Sequence, residues 1–203
     1  MDIDKRIDEI FDELVEIRRD LHKNPELSQN EYRTQEKIRE YLDMWGIENY
    51  PCADTGVVGI IKGKGRGKTL GIRGDIDALP LQEKNNVPYR SLTPGVMHAC
   101  GHDGHMAIVL GVARMLFEKR HEFPGKVRLI FQPAEEQYPG GAKKVIDDGG
   151  LAGVDAIIGL HIFGDIDVGD VRFCPGPLMA NSNDFSIRIK GKGGHVSTPE
   201  HCI

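Results

Sequence analysis

The segment Met97–His105, with the sequence MHACGHDGH, constrains this chain more than any other part of it. Three histidines, one cysteine and one aspartate lie within residues 98–105, and only alanine and glycine separate them. Such a segment has almost no apolar bulk, so it is a poor candidate for a hydrophobic core. Thiolate, imidazole and carboxylate are the groups with which proteins bind zinc and similar metals. The segment therefore predicts a metal site, which other parts of the chain must complete with further ligands and a general base.

Composition places the chain among ordinary globular proteins. Its 203 residues suffice for one large domain, or for one domain and part of another. Hydrophobic residues make up 39% and charged residues 28%, and the net charge of −5 argues against nucleic acid or an anionic membrane as partner. No apolar run reaches membrane-spanning length, and the acidic, amphipathic N-terminus is unlike a signal peptide.

Cysteine usage indicates a reducing compartment. The four cysteines lack the dense spacing of a disulfide scaffold; they are Cys52, Cys100, Cys174 and Cys202. We therefore expect a cytoplasmic location, in which Cys100 stays available as a thiolate.

Three segments carry apolar residues at helical spacing. In residues 3–23 these residues form one stripe opposite acidic and basic side chains, and Asn24-Pro25 is expected to end this helix. A second helix is predicted over about residues 30–45, with Gly46 as its stop. A third is predicted over about residues 103–119.

Four short apolar segments are predicted to be strands. They are residues 57–61, 69–73, 127–131 and 156–160. The first two are joined by a turn rich in glycine and lysine, which predicts a hairpin, and the last two are predicted to be buried. Strands that alternate with helices predict an α/β sandwich built on one mixed sheet.

Acidic residues and a histidine follow three of these strands. They are Asp75, Asp77, Glu135, Glu136 and His161, at the strand ends where open α/β sheets commonly bind ligands. The chemistry needs one carboxylate to hold metal and another to accept a proton from water, and the adjacent glutamates could divide this work. The aspartates could instead form a turn by bonding their own backbone. A lone histidine after a buried strand is more often a core residue, but its neighbours make His161 a candidate ligand.

Within the histidine-rich segment the roles differ. Cys100 and His102 lie two residues apart, so an extended backbone would direct both side chains to one side. Asp103 either caps the following helix or supports a ligand histidine from behind. His98 and His105 are either further ligands or support for them.

Two common motifs are excluded. The run KGKGRGKT at residues 62–69 lacks the first glycine of a phosphate-binding loop and precedes a strand instead of a helix, so it is interpreted as an exposed turn. No Gly-x-Ser-x-Gly sequence is present, which leaves a serine hydrolase without support.

A second domain is predicted to begin near the C-terminus. After Pro175-Gly176-Pro177 and Asn181-Ser182-Asn183, residues 185–189 alternate as in a strand. We therefore expect a first domain over residues 1–182 and the opening of another over residues 183–203.

Several motifs together resemble the zinc-peptidase-like amidohydrolase family. They follow one another in family order and cover nearly the whole chain: RRDLHKNPEL (18–27), RGDIDALPLQE (73–83), MHACGHDGHMA (97–107), FQPAEE (131–136), GLHI (159–162) and GKGGHVSTPE (191–200). The resemblance implies a three-layer α/β sandwich with a mixed sheet. It also implies that residues 183–203 contain the first strand of an α+β lid or dimerisation domain.

The resemblance also implies a role for each candidate residue. Two divalent ions, of Zn, Mn, Co or Ni, would be held by Cys100, His102, Glu136 and His161. Glu135 would be the general base, and His195, in the lid and often acting on the partner subunit, would polarise the scissile carbonyl. Residues at or just behind the site, or possible ligands, would be Asp75, Asp77, His98 and Asp103.

The implied reaction is hydrolysis of the amide bond of a small N-acyl amino acid by a homodimeric enzyme. The family's fold continues beyond the point where this sequence stops and supplies a further metal-binding histidine. Two alternatives stay open: a metallo-carboxypeptidase or dipeptidase, and a truncated chain of this kind that does not catalyse.

Overall fold

The computed structural model describes residues 2–179, 183 and 185–202. These described residues fall into two compact units, one within residues 1–165 and the other within residues 166–203. The first unit contains four helices, α1 (Ile3–Lys23), α2 (Tyr32–Met44), α3 (His102–Glu118) and α4 (Gly141–Asp147). It also contains five strands, β1 (Glu48–Cys52), β2 (Gly56–Lys62), β3 (Thr69–Asp75), β4 (Lys126–Gln132) and β5 (Ala156–Gly159). None of the described helices combines the length and apolar character needed to cross a membrane.

The strands form one mixed sheet in the order β1-β2-β4-β3-β5. Strand β2 runs antiparallel to β1 and β4, whereas β3 runs parallel to β4 and β5. The predicted α/β fold on a mixed sheet is therefore confirmed. The predicted hairpin of β2 with β3 is wrong, because β4 lies between them and pairs with both.

The glycine-rich loop between β2 and β3 crosses the start of β4 instead of forming a tight turn. The backbone N–H of Gly63 donates to the carbonyl of Gly125 over 2.8 Å, and that of Lys126 donates to Lys68 over 3.0 Å. A Cβ atom at Gly63 would lie 2.4 Å from the carbonyl oxygen of Phe123, so the crossing requires glycine there. These backbone bonds are formed across long sequence distances, which explains why local periodicity did not reveal them.

Helices cover both faces of the sheet. Because side chains alternate along a strand, Leu129 of β4 packs in the cluster with α1, α2 and α3, while Ile130 packs in the cluster with Val145 of α4. The predicted helices α1, α2 and α3 are confirmed to within about two residues at their ends. Strand β1 and helix α4 were not predicted, since β1 contains Pro51 and few apolar residues, and α4 is too short to show a period.

Strand β5 is exposed, contrary to the prediction that it is buried. Ile157 and Ile158 keep 50% and 55% of their surface accessible. Among the described residues β5 pairs only with β3, so it is an edge strand. An apolar sequence alone does not bury a strand; a second neighbour or a covering helix must do so.

The second unit has little regular structure. The predicted strand at residues 185–189 is not formed, and Phe185 and Ile187 are 86% and 77% exposed. A strand is stable only when another strand pairs with it, and none is present in residues 185–202. The predicted boundary between residues 182 and 183 adjoins residues 180–182 and 184, which lie outside the described residues. One short 3₁₀ helix, Pro199–His201, is present.

Candidate metal centre

The carboxyl ends of the parallel strands β3, β4 and β5 bring most of the candidate residues to one edge of the sheet. Asp75 is the last residue of β3, Glu135 and Glu136 follow β4, and His161 follows β5. Helix α3 begins at the same edge with His102. Three groups of metal-ligating atoms arise there, each with atoms within 4.8 Å of one another: Cys100, His102 and His161; Asp75, His102 and His105; and His102, Glu135 and Glu136.

Cys100 and His161 face each other across one side of this edge. The Sγ atom of Cys100 lies 3.4 Å from Nε2 of His161. The other ring nitrogen of His161 is 2.8 Å from the carbonyl oxygen of Ile162, to which it donates. This bond directs Nε2 toward the thiol, as in metal sites where the second nitrogen of a ligand histidine is held by a carbonyl.

Like His161, His102 has one ring nitrogen held by a carbonyl and directs the other toward the cluster of candidate ligands. Its Nδ1 atom donates to the carbonyl oxygen of Asp77 over 2.9 Å, and Nε2 lies 3.7 Å from Oε1 of Glu136. Both Nε2 of His102 and Oε1 of Glu136 are buried and have no hydrogen-bond partner among the described residues. Such atoms are costly to leave unsatisfied, and a divalent cation would satisfy both. The residues present therefore fit a metal.

Glu135 and Glu136 are directed inward by a turn at the end of β4. The backbone N–H of Glu136 donates to Oδ2 of Asp77 over 3.0 Å, which fixes the second glutamate. Glu135 is the more exposed of the two, so a substrate could reach it. Burial and the nearby charges of Glu136 and Asp75 raise the pKa of Glu135, which suits a group that must both accept and release a proton.

The edge is strongly anionic around Cys100. Burial, together with the nearby carboxylates of Glu136 and Glu135, raises the pKa of the Cys100 thiol to about 12. The thiolate is the form that binds metal, and a bound cation would reverse this effect. The charge distribution thus also suits a site for cations.

Asp75 is held by two basic residues. Its Oδ1 atom lies 2.5 Å from Nδ1 of His105, and its Oδ2 atom accepts from Arg73 over 2.7 Å. Burial opposes ionisation, but the bond from His105 and the charges of His102 and Arg73 outweigh it and lower the pKa of Asp75 to about 2. The second nitrogen of His105 accepts from the N–H of Ile162 over 2.9 Å, so His105 has both nitrogens engaged and orients Asp75.

Asp103 faces away from this space. Its Oδ2 atom accepts from Arg18 over 2.7 Å and lies 2.9 Å from Nδ1 of His22. The position before α3 is taken by Gly101, and Asp103 forms no capping bond, so the geometry favours support over capping. His98 is buried, burial lowers its pKa to about 4, and neither ring nitrogen has a partner among the described residues. None of the three ligand groups includes His98 or Asp103.

Several residues that contact the centre's surroundings were missed from the sequence. They are Arg18, His22, Ser28, Glu31 and Glu83. His22 was recognisable in principle, because it follows Leu21 on the apolar side of α1 and is buried with it. Ser28 and Glu31 lie in a polar loop, where no local pattern distinguishes them from solvent-exposed residues.

His195 belongs to the second unit, where its Nδ1 atom acts as an acceptor. It lies 2.7 Å from Oγ of Ser197 and accepts the N–H of Ser197 over 3.3 Å. A neutral ring with Nδ1 accepting carries its proton on Nε2. That nitrogen is then a hydrogen-bond donor, as stabilisation of an oxyanion requires.

The chain is similar to a known protein family and to several of its individual members. The sequence pattern of peptidase family M20/M25/M40 matches residues 71–201. The chain is similar to an N-acetylcysteine deacetylase of Bacillus subtilis (strain 168), with 50% identity over 94% of this chain and 50% of the relative. It is also similar to thermostable carboxypeptidase 2 of Saccharolobus solfataricus, with 45% identity over 97% of this chain and 51% of that relative. The chain thus spans about half the length of these curated relatives.

The fold is similar to that of a solved Bacillus subtilis structure described as a dinuclear metal binding peptidase from the M20 family. The two share 48% sequence identity and superpose with a TM-score of 0.77, over 80% of this chain and 46% of the other.

Proposed function

This chain belongs to peptidase family M20/M25/M40, and from that premise we propose that it contributes the metal centre of an amidohydrolase that cleaves the amide bond of N-acyl amino acids. The proposal depends on two buried atoms that have no hydrogen-bond partner among the described residues, Nε2 of His102 and Oε1 of Glu136. They lie 3.7 Å apart and close to Glu135. The similarity to a deacetylase that acts on an N-acyl amino acid supports this substrate class.

Cys100, His102, Glu136 and His161 are the proposed ligands of two divalent ions, of Zn, Mn, Co or Ni. When bound, such ions would polarise the acyl carbonyl and acidify the attacking water. The similar structure described as dinuclear supports two ions. A site that combines soft thiolate, imidazole and hard carboxylate ligands can bind any of these metals, so their availability in the cell would decide which one is bound.

Glu135 is the proposed proton carrier. It accepts a proton from water as the oxygen of that water bonds to the acyl carbon, and it returns the proton to the amine nitrogen as the C–N bond breaks. The acyl product then loses its remaining hydroxyl proton to solvent, so the products are a carboxylate and a free amino acid, and Glu135 regains its starting state. The raised pKa of Glu135 supports both halves of this cycle.

His195 is proposed to donate from Nε2 to the developing oxyanion. In the homodimer that we propose for the full-length form, it would act on the partner subunit. We further propose a cytoplasmic location, since the thiol of Cys100 must stay reduced to bind metal.

Peptide cleavage at the C-terminus is the second candidate function. An N-acyl amino acid and the end of a peptide present the same unit, an amide followed by a free carboxylate, so one centre suits both. The similarity to a carboxypeptidase favours this alternative.

A hydrolysis assay separates the two functions. The metal-loaded protein, in the longest form that its gene encodes, is incubated with N-acetylcysteine, hippurate and an unblocked dipeptide, and released amino groups are measured. We expect faster release from the acylated substrates. Preference for the dipeptide would favour the peptidase, and a chain that binds metal without hydrolysing any of the three would support a non-catalytic form.

A further inference from the structure

The loop between α1 and α2 contacts the turn that carries Glu135 and Glu136, and we propose that Glu31 in this loop is a positioning residue for that turn. Among the described residues, its carboxylate bonds to Ala134 and Thr55 and to none of the proposed ligands, so it would act through the backbone of Ala134. The inference rests on the proposed metal centre, because it concerns how the chain holds Glu136 in that centre.

Glu31 is fully buried and uses both carboxylate oxygens. Oε1 accepts the backbone N–H of Ala134 over 2.8 Å, and Oε2 accepts the hydroxyl of Thr55 over 2.5 Å. One side chain thus joins three segments: its own loop, the turn between β1 and β2, and the segment that follows β4. The contact with Ala134 is the one that reaches the candidate centre.

Ala134 has a backbone conformation that needs such support. Its φ angle is 49°, in the left-handed region that residues with a Cβ atom rarely adopt. Its N–H is held by Glu31, and its carbonyl accepts the N–H of Gly141 over 2.9 Å. Directly after this left-handed residue, Glu135 and Glu136 place carboxylate oxygens within 4.8 Å of a ring nitrogen of His102.

The same loop holds the turn at a second point. The hydroxyl of Ser28 donates to Oδ2 of Asp77 over 2.6 Å, and that oxygen also accepts the N–H of Glu136 over 3.0 Å. Glu31 therefore fixes the start of the turn, and Ser28 acts through Asp77 on its end.

Burial of a carboxyl group costs free energy, so packing alone does not explain a glutamate at this position. Burial raises the pKa of Glu31, and an apolar side chain would fill the space without that desolvation cost. What an apolar side chain cannot supply is an acceptor for the N–H of Ala134. The two hydrogen bonds thus account for the presence of a carboxyl group at this position.

Cobalt binding by the 203-residue chain tests the proposal. Co²⁺ is titrated and followed by its visible absorption, in the parent chain and in the variants Glu31→Ala and Glu31→Asp. The aspartate variant keeps a carboxyl group but shortens the side chain by one methylene. It can therefore be used for the same measurement if the alanine variant does not fold. We expect about 10-fold weaker Co²⁺ binding in both, the effect typical of lost support behind a metal ligand.

Glu26→Ala is the matched control. Glu26 lies in the same loop, and its carboxylate also accepts backbone N–H groups, those of Arg33 and Thr34 at the start of α2. It does not contact the turn at Ala134 within the described residues. This variant should lose stability and keep Co²⁺ affinity within about 2-fold of the parent.

Two further variants separate positioning from packing. Glycine adopts a positive φ angle without strain, so adding Ala134→Gly to Glu31→Ala should restore most of the lost affinity. Restored packing could not explain such a rescue, since glycine removes atoms. Glu31→Gln can still accept from Ala134 and can donate to Thr55, so it should bind Co²⁺ as the parent does.

These measurements distinguish failure of the proposed role of Glu31 from failure of the proposed metal centre. Parent-like Co²⁺ affinity in Glu31→Ala, or no rescue by Ala134→Gly, would overturn the role of Glu31. A parent chain that binds no Co²⁺ would overturn the metal centre instead. In that case amide hydrogen exchange at Glu136 decides the positioning role: faster exchange in Glu31→Asp than in Glu26→Ala supports it, and equal rates refute it.

Discussion

His22 and Asp103 form a buried pair, in which Nδ1 of the histidine lies 2.9 Å from Oδ2 of the aspartate. The other nitrogen of His22 lies 3.2 Å from Oε1 of Glu83. Asp103 directly follows the proposed ligand His102, so this pair ties helix α1 to the start of α3.

The stability of the metal-free chain should fall with rising pH because of His22. The hydrogen bond with Asp103 raises the pKa of His22 above its usual 6.5, against burial and with help from Glu83. The folded chain therefore holds this proton more tightly than the unfolded chain. The stabilisation is fully present below pH 6.5 and is lost as the pH rises through the folded value.

Urea unfolding in chelator at pH 6 and pH 8.5 measures this effect. Glutamine has no titratable group, so His22→Gln should show a smaller loss of unfolding free energy between pH 6 and pH 8.5 than the parent. His121→Gln, which changes an exposed histidine, should behave as the parent does. Equal pH dependence in parent and His22→Gln would refute the charged pair.

Replacement of His105 should lower stability. His105→Leu removes a donor from the buried carboxylate of Asp75 and an acceptor from the N–H of Ile162. Loss of a bond to a buried charge predicts a decrease of about 3 kcal/mol in the free energy of unfolding. Thermal or urea unfolding measures it, with the exposed His121→Leu as control. A change below about 1 kcal/mol would contradict the bonding of His105.

Cys100 should be required for metal binding, unlike the exposed Cys174. Cys100→Ser replaces the thiolate ligand by a poorly ionised hydroxyl, so Zn²⁺ or Co²⁺ affinity should fall by at least about 100-fold. Cys174→Ser is the matched control, since that thiol is free and exposed. Competition with a colorimetric chelator measures both. Unchanged affinity in Cys100→Ser would remove Cys100 from the ligand set.

Glu135→Gln should separate metal binding from catalysis. The amide keeps the size of the side chain but cannot accept the proton of water, so kcat should fall by about 10²- to 10⁴-fold with metal content unchanged. The corresponding change at the neighbour, Glu136→Gln, should lower metal affinity instead. The pair is measured by metal analysis and by hydrolysis of an acylated amino acid in the full-length form. Parent-like turnover in Glu135→Gln would refute the base assignment.

His195 should affect kcat through its donor nitrogen. His195→Ala should lower kcat by about 10²- to 10³-fold, the effect of losing one oxyanion donor. Ser197→Ala should lower it less, because the N–H of Ser197 still bonds Nδ1. His201→Ala, another exposed histidine of the same unit, is the control. Steady-state kinetics on the full-length form measures all three, and equal kcat in His195→Ala and the parent would refute the role.

The candidate ligands and the candidate base could be predicted from the sequence because they lie in short, local motifs. Cys100 and His102 are separated by one glycine, and Glu135 and Glu136 directly follow an apolar strand, so ligand types and strand ends were visible without any structure. The helices α1 and α3 were predicted for the same reason, because apolar residues that recur about every 3.6 positions form a pattern within one continuous segment.

Features that depend on contacts between residues far apart in the sequence were visible only in the tertiary structure. The insertion of β4 between β2 and β3, the exposure of Ile157 on the edge strand β5, and the contact of Glu31 with Ala134 join residues far apart in the chain. Hydrogen bonds between strands and buried carboxyl contacts leave no periodic trace in the sequence. The sequence by itself therefore determined which groups are available for the candidate metal centre, and only the fold decided which of them meet and what holds them in place.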